Sequence, residues 1–143
     1  MDVGGRTVGR IGAGLLVLLC VEHGDGDQQV SKMLEKTLKL RIFEDDAGKM
    51  NRSVLDMDGH GGAGEMLVIS QFTLAADVWS GNRPSFAGAA PAQAGRGFYE
   101  LYVQKARQFV PHVATGEFGA HMQVHLVNDG PVTIPIRVAP LQA

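Results

Sequence analysis

The sequence has one cysteine, Cys20, so no internal disulfide can form. Set among Leu15, Leu16, Val17, Leu18, Leu19 and Val21, it reads as a small buried hydrophobe, compatible with a reducing compartment. No apolar run approaches the roughly 20 residues that cross a bilayer; the longest, from Ile11 to Val21, is about half that. Arg6 and Arg10 ahead of this run imitate a signal peptide. The following Glu22-His23-Gly24-Asp25-Gly26-Asp27 has no small-residue cleavage pattern, and a buried strand is the better reading. An excess of charge of one sign is missing too, with 13 Lys and Arg against 15 Asp and Glu, a net charge of -2 and a pI near 6.2. That excludes a general electrostatic grip on duplex nucleic acid, though not a pocket for a single-stranded end. Aromatic residues make up 6%, and no basic stripe interleaved with them appears. Internal repeats, low-complexity tracts and linkers are absent as well.

What is present is the composition of a packed domain, 45% hydrophobic and 20% charged, over a length that suits one domain spanning residues 1–143. Nineteen glycines, roughly twice the usual ~7% share, are scattered without a period and favour a strand-rich fold with many turns. Thr7 to Ile11 and Leu15 to Val21 are strand-forming runs separated by Gly12-Ala13-Gly14, which predicts a hairpin. Asp25 or Asp27 offers an N-cap to a helix over about 27–40, whose inner face is marked by Val30, Met33, Leu34, Thr37, Leu38 and Arg41. Arg41-Ile42-Phe43 reads as a strand ended by the turn at 45–49. Residues 56–64 form a glycine-rich loop, and Met66 to Thr73 is a strand with an apolar first half. Pro91 opens a second helix over 91–109, with Phe98, Leu101, Tyr102, Lys105 and Phe109 on one stripe. Met122 to Val127 and Val132 to Val138 resemble two strands, and Pro135 places the second at an edge or a chain interface.

His121 and His125 share one face, a metal-ligand spacing, yet no third ligand joins them and they read as half-exposed strand histidines. His23 and His60 sit in solvated turns. Glu44-Asp45-Asp46 lacks the alternating oxygens of a calcium loop. No metal and no cofactor is expected. Ser70, Thr73, Thr133 and Cys20 are the candidate nucleophiles, but the Gly-x-Ser-x-Gly elbow is missing and no histidine is placed to activate them. Ser70, Gln71 and Thr73 stand out by position, because an apolar strand turns polar there and its polar atoms need partners that a ligand can supply. Gly130-Pro131 is the other anomaly: a plain turn satisfies it, while a cis bond would align neighbouring carbonyls into an acceptor pair for an ammonium group.

At these residues the sequence resembles the D-aminoacyl-tRNA deacylases, also called D-tyrosyl-tRNA deacylases. Ser70-Gln71-Phe72-Thr73-Leu74 and Asn128-Asp129-Gly130-Pro131-Val132-Thr133 match the family's two signatures. Gly9-Arg10-Ile11-Gly12, Phe43-Glu44-Asp45, Lys49-Met50-Asn51-Arg52-Ser53, Arg83-Pro84-Ser85-Phe86 and Phe118-Gly119-Ala120-His121-Met122 match in order over about residues 7–134. The resemblance implies a mixed α/β fold of curved, barrel-like sheets backed by two helices, a cytoplasmic homodimer without membrane contact. It implies hydrolysis of the ester between a D-amino acid and the 3′ terminal adenosine of tRNA, which recycles mischarged tRNA. On the same match the cis Gly130-Pro131 loop enters the partner subunit's pocket and its carbonyls orient the substrate's amino group, so that an L side chain meets a backbone wall. Ser70, Gln71, Phe72 and Thr73 line the pocket, Phe118 and Met122 frame the adenosine, and Asn128 and Thr133 belong to the second signature. Backbone N–H groups near Phe72 and Thr73 serve as an oxyanion site, with water as the nucleophile assisted by the RNA's own hydroxyl; Thr73 or Thr133 as a covalent nucleophile is the competing mechanism.

Family members begin with a strand carrying Gln-Arg-Val, whereas Met1-Asp2-Val3-Gly4-Gly5 aligns with the turn after it. The expectation is therefore that this first strand is absent, with no counterpart to its arginine and with a sheet edge exposed. Three other readings stand beside the main one: a paralogous deacylase of misacylated L-aminoacyl-tRNA, against which Phe72 speaks; a non-catalytic binder of single-stranded nucleic-acid ends; and a purely structural homodimer.

Overall fold

A computed structural model describes residues 1–140; the last three residues of the expected 1–143 domain lie outside the described residues. Seven short strands and two helices follow one another as β1 (Asp2–Val3), β2 (Arg6–Thr7), β3 (Gly14–Leu19), α1 (Asp27–Lys39), β4 (Phe43–Glu44), β5 (Met50–Arg52), β6 (Glu65–Ser70), α2 (Ala92–Ala106) and β7 (Val113–Thr115). The architecture is mixed α/β. The expected barrel-like closure is not found among the described residues: three separate ladders form, β1-β2, β4-β5 and the central β3-β6-β7.

The expected hairpin of 7–11 with 15–21 is overturned. β3 instead runs parallel to β6, from Gly14 opposite Glu65 to Leu19 opposite Ser70, and β6 runs parallel to β7 on its other side. Gly12 and Gly14 lack the positive φ that tight hairpin turns demand. Their role is close approach. Gly12 N–H donates to Glu65 Oε1 at 2.7 Å, and a Cβ on Gly14 would collide with the Glu65 backbone. The tight hairpin lies earlier, where Gly4 (φ 57°) and Gly5 (φ 79°) turn β1 into β2.

β6 is the central strand, and its continuous apolar run is buried on both faces, the signature of a parallel strand covered on two sides. Met66 and Val68 face the helices, joining Leu34 and Leu38 of α1 with Tyr99, Tyr102, Val103 and Ala106 of α2. Leu67 and Ile69 face the other way, onto Met1, Val8, Ile11, Leu16 and Met122.

α1 buries Val30, Leu34, Thr37 and Leu38 as the spacing predicts. Its N-cap is Gly26 and not an aspartate. Asp25 is occupied in accepting from Glu22 N–H at 2.8 Å, and Gln29 Oε1 reaches back to Gly26 N–H at 2.8 Å. The helix ends before Arg41, which is exposed. α2 is shorter than the expected 91–109 and its buried stripe is rotated, running through Gly95, Tyr99, Tyr102, Val103 and Ala106 while Phe109 is exposed. Two tyrosine hydroxyls fix that rotation: Tyr99 donates to the Val68 carbonyl at 2.7 Å and Tyr102 to Thr37 Oγ1 at 3.1 Å. Both polar tips are thus satisfied inside the core.

The expected strands at 122–127 and 132–138 do not form. Only Gln123 pairs, with Asp2, and 124–138 runs as an arm without a ladder. Pro131 and Pro135 remove donors from it, and among the described residues no neighbouring strand of the same chain pairs with it. Arg137 holds the arm to the body through a bidentate pair with Glu22 at 2.9 and 3.2 Å.

Candidate functional site

The C-terminal end of β6 places the first signature. Ser70 is the last residue of the strand, Gln71 N–H donates to Leu19 O at 2.8 Å, and Phe72–Ala75 then coil into one 3-10 turn. The change of backbone direction at Gln71 leaves the N–H groups of Phe72 and Thr73 without a hydrogen-bond acceptor among the described residues. Gln71 Nε2 donates to Thr73 Oγ1, which fixes the two polar side chains against each other. The ring of Phe72, more than half exposed, meets Phe86 edge to face with centroids 5.1 Å apart.

Cys20 is half-buried and not the buried hydrophobe expected. Its thiol lies 3.6 Å from the Phe72 carbonyl oxygen, to which it donates. Burial pushes its pKa up, and the neighbouring Glu22 carboxylate pushes it further, so the sulfur is held as a neutral thiol and is a poor nucleophile. Only the three-dimensional packing of β3 beside β6 brings it there; the linear sequence holds no signal for it.

The second signature is an exposed turn with its own internal bonds. The Gly130-Pro131 peptide is cis, and Gly130 has a φ of 148°. Asn128 braces the turn from both ends of its amide, donating to Thr133 Oγ1 at 3.0 Å and accepting from Val132 N–H at 3.0 Å. Asn128, Asp129, Val132 and Thr133 line one wall of a cleft of about 1470 Å³, whose other wall includes β3, Leu74 at the end of the first signature, and Ala75 and Ala76 just beyond it. No hydrogen bond joins Ser70, Gln71, Phe72 or Thr73 to Gly130 or Pro131 within one chain among the described residues.

Phe118 and Met122 flank the same end of β6 from its two faces. Phe118 packs on Tyr99, ring centroids 5.9 Å apart, with the Arg96 guanidinium 5.7 Å from its ring, a cation–π distance. Met122 packs with Ile69 and Leu67, and its sulfur accepts from Glu117 N–H at 3.4 Å. The two histidines of the considered metal pair diverge in role: His121 is exposed, and His125 Nε2 lies 3.3 Å from Asp2 Oδ2. Among the described residues no group of three or more His, Cys, Asp or Glu side chains is placed to hold a metal ion. No helix among them is long and apolar enough to cross a membrane.

Comparison with known proteins places the chain in one family. The family model described as D-Tyr-tRNA(Tyr) deacylase matches residues 1–137. A D-aminoacyl-tRNA deacylase of Polaromonas naphthalenivorans is 65% identical over 138 residues, which cover 96% of this chain and 90% of that protein. One of Delftia acidovorans is 59% identical over all of this chain and 92% of its own length. Among solved structures, a protein titled c-Myc DNA Unwinding Element Binding Protein superposes with a TM-score of 0.84 at 41% identity, covering 93% of this chain and 87% of that one. A probable eukaryotic D-amino acid tRNA deacylase shares the fold, with a TM-score of 0.54 at 13% identity. By the extent of the model match and by these identities, the chain belongs to the D-Tyr-tRNA(Tyr) deacylase family.

Proposed function

We propose that this protein hydrolyses the ester linking a D-amino acid to the 3′ terminal adenosine of tRNA, and so returns mischarged tRNA to translation. The observation that carries the reading is the family match over residues 1–137, with both signatures intact. The reaction needs no cofactor, only a positioned water and donors for the tetrahedral oxyanion. The unengaged N–H groups of Phe72 and Thr73 supply such donors, each typically worth about 2.7–4 kcal/mol in the transition state. Gln71, held by its bond to Thr73, orients the ester, and Ser70 completes the polar end of the strand. Phe118 and Met122 frame the adenosine. With Cys20 kept protonated and no histidine bonded to a site hydroxyl among the described residues, attack by water assisted by the RNA's own hydroxyl is favoured over a threonine nucleophile.

The chiral gate is proposed to be the partner subunit's copy of the Gly130-Pro131 turn. The turn is exposed in the single chain and braced by Asn128 and Thr133, which suits a rigid element inserted into another molecule's pocket. A 10⁴-fold preference for D over L needs about 5.5 kcal/mol, within reach of a clash with rigid main chain. The working assembly is then a cytoplasmic homodimer.

The test is release of labelled amino acid from D-Tyr-tRNA and L-Tyr-tRNA, side by side, with Gln71→Ala as control. Rapid loss of the D-ester alone, abolished by the substitution, supports the reading. Equal loss of both esters overturns the chiral gate, and no loss from either overturns the activity. Thr73→Ala and Thr133→Ala variants that retain hydrolysis would remove the covalent mechanism. A second reading, binding of single-stranded nucleic acid without catalysis, draws on the likeness to the c-Myc DNA Unwinding Element Binding Protein; it is favoured if RNA binds and neither ester is cleaved.

A further inference from the structure

Five of the eleven large hydrophobic residues exposed among the described residues fall within one fifteen-residue stretch: Phe72, Leu74, Val78, Trp79 and Phe86. Trp79 is the extreme, 94% exposed. It sits on a loop that leaves the site and returns to it. Asp77 and Ser85 exchange backbone hydrogen bonds of 2.7 and 2.9 Å, closing residues 78–84 into a loop, and the next residue, Phe86, rests edge to face on Phe72. The loop is braced from within, since the Asp77 carboxylate accepts from Trp79 N–H at 2.9 Å and from Ser80 Oγ at 2.6 Å. The backbone that carries the indole is thus held in place, which lowers the entropic cost of presenting it. Trp79 lies two residues beyond Asp77, at most about 7 Å of chain, the scale of one nucleotide.

Charge indicates what the indole meets. In a chain of net charge -2, the stretch from Val78 to Tyr99 contains no carboxylate and two arginines, Arg83 and Arg96. Arg83 shares the closed loop with Trp79, and Arg96 stands over Phe118. Arg96 is paired with Glu100 at 3.3 Å, whereas the exposed Arg83 pairs with no carboxylate among the described residues. An exposed aromatic face beside that unopposed guanidinium suits a single-stranded polyanion with stacking bases, since every base has a π-face and every linkage a charge. We propose that Trp79, with Arg83, forms a stacking platform for a nucleotide preceding the terminal adenosine in the tRNA 3′ end. The inference rests on the deacylase reading above and adds a binding determinant outside both signatures.

Trp79 is the sole tryptophan, so intrinsic fluorescence reports the platform directly. Titration with a short single-stranded RNA carrying the tRNA 3′ sequence is expected to quench it, whereas adenosine alone leaves it unchanged. In parallel, kcat/KM is measured on D-Tyr-tRNA and on D-tyrosyl-adenosine, which lacks the preceding nucleotide. Trp79→Ala is expected to lower the ratio of the two values about 5- to 150-fold, through KM, the span typical of removing one stacked base. Trp79→Phe restores most of the ratio and Arg83→Ala lowers it in a salt-dependent way. An unchanged ratio in Trp79→Ala overturns the platform. So does fluorescence that responds to protein dilution and not to RNA, which would assign the indole to contact with a second copy of the chain. If the unaltered protein cleaves neither ester, the deacylase reading fails on its own, and the quench alone decides whether the platform binds RNA.

Discussion

Glu22 and Arg137, 115 residues apart in sequence, meet in a bidentate ion pair at 2.9 and 3.2 Å. The pair joins the connection after β3 to the arm that carries the Asn128-to-Thr133 turn, and Arg137 is its exposed partner. An exposed pair of this kind is screened by salt, so its hold on the arm is expected to weaken at high ionic strength. Arg137→Met and Glu22→Gln should each speed limited proteolysis within residues 125–138, with the double variant no faster than either single one. Additive acceleration would show that the two side chains act separately.

The Cys20 thiol is expected to alkylate slowly at neutral pH. Burial and the Glu22 carboxylate raise its pKa above the ordinary thiol value, so the thiolate fraction that reacts is small. An iodoacetamide rate profile should have its midpoint above that of a free thiol. Cys20→Ala should retain ester hydrolysis; a loss beyond about tenfold, more than 1.4 kcal/mol of barrier, would put the sulfur in the chemistry.

Tyr102 links stability to alkaline pH. Its buried hydroxyl has a pKa pushed up to about 12 by desolvation, opposed by the hydrogen bond with Thr37. The folded state therefore holds this proton more tightly than the unfolded chain, whose value is 10.0. The contribution is fully present below pH 10 and is lost as pH rises through about 12. Denaturation of the native protein and of Tyr102→Phe, compared from pH 8 upward, should show a difference that shrinks across that window. At pH 8 the substitution should cost about 0.5–1.5 kcal/mol for the missing hydrogen bond.

Gly14→Ala is expected to disturb the join between β3 and β6. The added methyl has no space against the Glu65 backbone, in the first paired position of the parallel ladder. Overpacking of this kind costs typically about 1–3 kcal/mol. Gly48→Ala is the contrast: nothing surrounds that position, and its φ of 75° makes the effect one of local backbone strain alone. A Gly14→Ala melting curve no different from the native one would contradict the close packing of the two strands.

Both helices were legible because their apolar residues recur at helical spacing, and the end of β6 was legible because Ser70, Gln71 and Thr73 interrupt an apolar run. Strand pairing was not. Gly12-Ala13-Gly14 has the composition of a hairpin turn, and only the approach of Glu65 reveals that two glycines are there to admit another strand. The rotation of α2 was hidden for a similar reason: Tyr102 stands on the expected stripe, while Tyr99 enters the core only where the Val68 carbonyl receives its hydroxyl. Residues 132–138 alternate like a strand, yet alternation describes a face and supplies no neighbour to bond with. The candidate site was half visible: its two signatures stand out in the sequence, while Cys20 and Trp79 acquire their places from β3 and from the loop closed by Asp77 and Ser85.

The parallel register of the central sheet also sets the order in which the site is completed. Glu65 pairs with Gly14 and Met66 with Val113, partners about fifty positions away on either side. Long loops must close before those ladders reward the chain, which slows folding relative to a sheet of local hairpins. During synthesis from the N-terminus, β3 and β6 can pair only after α1 and the intervening loops have emerged, and β6 gains its second neighbour only after α2. The polar end of β6 is therefore assembled late, on a scaffold that must already be closed around it.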